Sequence, residues 1–432
     1  MRKFKYVLVA ALLVPVMLFF AACGKKDDSD KSKNPDDSVV TLTSSHISIP
    51  NSTYYYTGEE ITPEVTVTVD GKTIASSNYL VSYSNNIEIG TATITVTANS
   101  SSTIISGSAS KTFTIEQKTT HVSTFAELQH AVKTNNIIVL DNDILFASGN
   151  ETDKTLEIVA DESDLKIVID LNGYTLEKYV LISNFNESNY DTDYSQYYPY
   201  SLSVTIQNGT LGNDREIQEG SEIIIAGNES VAVNLDSVDV VNFENCITTE
   251  ERCYGALLNT YNCSFKTISK TSGSCIESLS HYTLTFDNCK FEGYVAFEIY
   301  KGLITLNDGC NAKTISSVIY AETSNDHTLT QKYFDACEIK IYANNGVYES
   351  ESGYIFEIKN SLNASETASV LVSISTSDLT TYVDGEGASK YYSSDYSDAD
   401  IVIQNCFSGK KSNKIPNVGV PGNENDKPKD EK

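Results

Sequence analysis

The chain has 432 residues, of which 58 are acidic and 31 basic, for a formal net charge of −27. A phosphate backbone would be repelled by that charge, which argues against nucleic acid as a partner. Two or three domains fit the length. The 27 Tyr and the absence of Trp suit β surfaces that contact sugars or proteins.

Residues 1–23 read as a processing segment. Arg2, Lys3 and Lys5 form a positive start, and Tyr6 to Phe20 is an apolar run too short to span a bilayer comfortably. The run closes on Ala21-Ala22-Cys23-Gly24, which resembles the lipobox of bacterial lipoproteins, with Phe20 where Leu is usual. The resemblance implies that Cys23 is lipidated and that the protein sits on the outer side of a cell membrane, its membrane contact made by the lipid anchor. Two or more acyl chains hold such an anchor stably. Residues 24–37 carry no apolar side chain beyond one Pro and form a disordered tether.

Residues 38–117 read as a small β module. Glu64-Val-Thr-Val-Thr-Val69 alternates at period two, and Asp70-Gly71 is a hairpin signal. About seven short strands suggest a β-sandwich. The frame Tyr56-Thr-Gly58, Pro63, Asp70-Gly-Lys72, Tyr79, Val81 to Asn86, Gly90-Thr-Ala92 and Phe113-Thr-Ile115 resembles the immunoglobulin-like spacers of bacterial surface proteins.

Residues 118–407 carry repeats. Thr124-Phe-Ala-Glu127 is a capping-box pattern, and Phe125, Leu128 and Val132 recur at helical spacing. A short helix here would cover the open end of the repeat stack. Short echoes then start at Ile206, Leu235, Thr260, Phe286, Phe334, Ile374 and Ile403, with first steps of 29, 25 and 26 residues. The longer steps after Phe286 read as two laps each. A second echo, Gly273 to Ser278, Tyr294 to Ile299 and Gly353 to Ile358, puts two or more strands in a lap. A period near 25 in strand-like sequence indicates a β solenoid of about eleven laps.

These echoes resemble the pectin-lyase-like superfamily, most closely its non-catalytic, adhesin-like members. The resemblance implies an all-β chain: an Ig-like sandwich followed by a right-handed parallel β-helix with a short N-terminal capping helix. Residues 408–432 are polar and read as a disordered tail.

Two stretches break the period. One holds Tyr190, Tyr194, Tyr197, Tyr198 and Tyr200; the other holds Tyr391, Tyr392 and Tyr396. Insertions in solenoids map to loops, so these Tyr are candidate ligand-binding residues. Cys263, Cys289, Cys337 and Cys406 share one echo position and would form a thiol ladder or disulfides. Asn172, Asn208, Asn262, Asn288 and Asn405 would form a second ladder, inside the coil or at its turns. Glu277, Glu298 and Glu357 recur in the second echo and would line one face.

No catalytic residue, metal or cofactor is assigned. Gly-His-Gly, Arg-Ile-Lys, Gly-x-Ser-x-Gly and His-Glu-x-x-His are missing, and His46, His121, His130, His281 and His327 are scattered. The first functional expectation is a non-enzymatic, lipid-anchored surface protein that adheres to a polysaccharide or to a surface protein of a host or neighbouring cell. The alternative is a polysaccharide lyase or glycoside hydrolase with an unfamiliar active site.

Overall fold

The computed structural model describes residues 39–134, 136–146, 155–184, 199–213, 220–250, 255–323, 337–361, 368–383, 390–396, 398–408 and 413–419, the side chains of 136, 337 and 413 aside. Cys23, the 24–37 tether, Tyr190, Tyr194, Tyr197, Tyr198, Phe334 and most of the C-terminal tail lie outside these residues. The chain is all-β, with long parallel sheets. It divides into two compact units, one of residues 1–50, 64–82 and 94–111, the other of 51–63, 83–93 and 112–432.

In the first unit, strand Thr66–Val69 pairs antiparallel with Lys72–Thr73 through Asp70 and Gly71. Both turn residues have positive φ, 48° and 74°, as a two-residue hairpin of this twist requires. Val67, Val69, Ile94 and Val96 are buried at alternate positions, so the period-two pattern becomes one buried face.

The second unit carries a sheet of 19 strands and a sheet of nine. The chain alternates between them. Strands Thr283–Asp287 and Lys290–Gly293 lie in the longer sheet and Val295–Ile299 in the shorter; Gly302–Leu306 then returns beside Thr283–Asp287. Nearly every pairing is parallel and in register, a topology compatible with a β-helix.

The register turns the first echo into a file. Ile206 pairs with Leu235, then come Thr260, Phe286, Leu306, Ala343, Ile374 and Ile403. All are buried. Ala343, not Phe334, holds the position after Leu306, because the steps from Phe286 are 20 and then 37 residues rather than two equal laps. Phe286 packs among Phe265, Phe291 and Phe297 at centroid distances of 5.9, 5.3 and 5.5 Å. Each buried Phe contributes about 1.5–3 kcal/mol of transfer free energy.

Two polar devices close the bends. At the bends of the long sheet, Asn172, Asn208, Ser237, Asn262, Asn288, Asn345, Thr376 and Asn405 all adopt φ between 51° and 58°, and Gly309 takes the same place in its lap at 85°. Asn tolerates this left-handed conformation better than most residues. Asn288 donates its amide to Asn262 on the neighbouring lap, so the expected asparagine ladder lies at a turn. At the next bend, Thr314, Ser350 and Thr381 donate hydroxyls to the carbonyls of Ser316 or Gly353 at 2.7–2.8 Å. These bonds satisfy main-chain groups that leave the sheet ladder.

Helix Phe125–Ala131 starts with both halves of the capping box. The Glu127 amide donates to Thr124 Oγ1 at 3.2 Å, and the Thr124 amide donates to Glu127 Oε2 at 3.1 Å. Such a cap contributes about 1 kcal/mol. Phe125, Leu128 and Ala131 join the single apolar core of the second unit.

Candidate functional site

A file of buried thiols follows the turns. Cys263, Cys289 and Cys310 stand on three successive laps, each just after the left-handed turn, and all are buried free thiols. Cys406 holds the same place further along the stack, separated from Cys310 by Gly346 and Ser377. Cys337 is not in this file: it begins strand Cys337–Asn344, opposite Ala368. A second file pairs Cys246 with Cys275. Burial holds the Cys246 thiol well above its ordinary range, so it behaves as a small hydrophobe.

The remaining candidate tyrosines are built into the packing. Tyr391 is buried in the core, in file with Ile355, Val318 and Ala296. The Tyr392 ring stacks on Phe356 at 5.4 Å. Tyr396 donates its hydroxyl to the Ala368 carbonyl at 2.8 Å. Tyr200 is half-buried against the core. All four rings pack in or against the apolar core.

The outward face of the nine-stranded sheet concentrates chemistry instead. Strands Ser274–Ser278, Val295–Ile299, Ile319–Thr323 and Phe356–Asn360 are adjacent and parallel. Their even-period pattern points Ile276, Phe297, Ile319 and Phe356 inward, all buried. Register then places Glu277, Glu298, Tyr320 and Glu357 in one outward file, each half-buried. The three Glu of the second echo share this face, with Tyr320 between the second and third. Neighbours in such a file stand about 4.8 Å apart.

Hydrogen bonds order the file. Thr248 and Asn245 donate to Glu277 Oε2 at 2.8 and 3.2 Å. Tyr300 donates to Glu298 Oε1 at 2.9 Å, and Tyr320 to Glu322 Oε2 at 3.0 Å. Ser317 donates to Glu357 Oε2 at 2.8 Å, and Lys359 lies 3.1 Å from Glu357 Oε1. Burial pushes the carboxyls of Glu277 and Glu298 up; Thr248 and Tyr300 respectively pull them back, and the neighbouring carboxylates Glu298 and Glu322 raise them again. Burial first, then the adjacent carboxylates, raises Tyr300 and Tyr320, which stay protonated donors.

The sequence reading missed Tyr300, Tyr320 and Glu322. Their signal was present as Glu-x-Tyr at 298–300 and Tyr-x-Glu at 320–322, the two-residue spacing that puts both side chains on one side of a strand. Chemically the file is a row of carboxylate acceptors with phenol donors between them. Among the described residues, no group of three or more His, Cys, Asp or Glu is arranged to hold a metal ion. None of the described helices is long and apolar enough to cross a membrane. Comparison with family profiles, curated proteins and solved structures finds no match.

Proposed function

We propose that this chain is a non-enzymatic surface protein, lipid-anchored at Cys23, whose right-handed parallel β-helix binds a polysaccharide on its carboxylate–tyrosine face. The parallel register supports the helix, and parallel crossovers are right-handed in nearly all proteins. The Ig-like module acts as a spacer, and helix Phe125–Ala131 caps the first lap. The observation that carries the binding reading is the in-register file Glu277–Glu298–Tyr320–Glu357. A file that advances one strand at a time offers a repeating polymer a carboxylate acceptor at three of its four steps, and sugar hydroxyls donate well to carboxylates.

The pair Glu277 and Glu298 also raises the hydrolytic alternative, since glycosidases use two carboxyl groups. Acid–base division of labour needs environments that push the two pKa values apart. Here burial moves both the same way. A glycan array probed with the full chain, followed by an assay for reducing ends and unsaturated products on each glycan retained, tests the reading. Binding without product supports it. Product release from any retained glycan overturns it.

A further inference from the structure

The corner between the two sheets varies in length along the stack. From Thr267 to Ser274 the chain takes six residues, from Gly293 to Val295 one, and from Thr314 to Ile319 four. Two long corners therefore flank a short one, and a cavity of about 300 Å³ opens over the middle lap. That volume is at the lower end of ligand pockets, roughly 300–1,000 Å³.

The lining is unusual for this chain. It carries Lys266, Lys270 and Lys313 against Glu292 and Glu351, three positive charges to two negative, in a protein of net charge −27. Lys313 meets Glu351 only loosely, at 3.9 Å, while Lys266 and Lys270 have no ion-pair partner among the described residues. Thr267, which also lines the cavity, is 5% exposed, and its hydroxyl has no hydrogen-bond partner. Two uncommitted ammonium groups over a walled concavity suit a compact oxyanion.

We infer that this groove is an anion subsite that takes the carboxylate group of an acidic sugar. The choice of a sugar rests on the proposed glycan binding; the choice of an anion rests on the lysines alone. The groove lies round the corner from Glu277 and Glu298 on the same laps, so a glycan carrying spaced acidic groups has hydroxyl acceptors on one side of the corner and ammonium donors on the other.

The test is a methyl NMR titration of the full chain with glucuronate, inorganic sulfate and glucose, following Ile268 and Ile315, which line the groove. The expected result is saturable shifts with glucuronate, none with glucose, and at least a tenfold weaker affinity for glucuronate in the Lys266→Gln/Lys270→Gln double variant. Affinity also falls between 50 and 200 mM salt, as screening requires. No shift, an equal response to glucose, or unchanged affinity in the variant overturns the inference. Response to sulfate without glucuronate means an adventitious ion only and also overturns it. Neutral glycans held on the array beside a silent groove would sink this inference and leave the binding reading intact. Glucuronate held in the groove with an empty array would do the reverse.

Discussion

At the residue scale, single conformations and single charges decide most. Asn288 sits at φ 51° within a file of left-handed residues. Asn288→Val should lower the urea unfolding midpoint, at a cost of about 1–2 kcal/mol for a left-handed L-residue, whereas Asn288→Gly should cost less. Equal midpoints for Val and Gly would contradict the turn assignment. Glu222 is fully buried in file with Cys246, and neither carboxyl oxygen has a partner. Burial, then nearby Glu177, holds its pKa well above the usual carboxylate range. The folded state thus keeps a proton that the unfolded chain releases. The stability linked to it is intact below the unfolded pKa and falls as pH rises toward the folded one, by at most about 1.4 kcal/mol per pH unit. Glu222→Gln should therefore match the parent near pH 4 and melt progressively higher than it toward pH 8. A difference in melting temperature that does not grow with pH would contradict this.

At the element scale, much of the coil was legible because period and register are coupled. Six of the seven echo starts, from Ile206 to Ile403, fall in one buried file. Each of these six, all apolar except Thr260, stands two residues before a left-handed residue, and that pairing of features is local in sequence. The Phe334 start misled because Phe-Asp-x-Cys reads the same near a strand's beginning as at a bend; the register puts Cys337 at a strand start. Tyr391 shows a related limit of reading loops from composition. A Tyr among Ser and Asp looks like loop sequence, yet Tyr391 enters the core where the corner turns inward. The carboxylate–tyrosine file itself is an element property, since its members are aligned by strand register and Tyr300, just past the strand end, reaches back to Glu298. Tyr300→Phe removes a hydrogen bond that pulls the Glu298 pKa down. In a carboxyl NMR titration Glu298 should inflect above the ordinary glutamate value in the parent and higher still in the variant. An unchanged or lower inflection would show that the phenol does not order that carboxylate.

At the scale of the whole molecule, the long parallel sheets supply what neither a single residue nor a single strand can, polar side chains aligned in files at about 4.8 Å steps. The stacking that buries Phe265, Phe286, Phe291 and Phe297 also sets the spacing of Glu277 and Glu298 outside. Core and face are consequences of one register. The central claim is that this face holds a glycan without cutting it. The most direct measurement is an equilibrium titration of an array-retained oligosaccharide against the full chain and against its Glu277→Gln/Glu298→Gln variant. Saturable binding by the parent that weakens at least tenfold in the variant, with the oligosaccharide recovered whole, is the predicted result. Equal affinity in both proteins would contradict it.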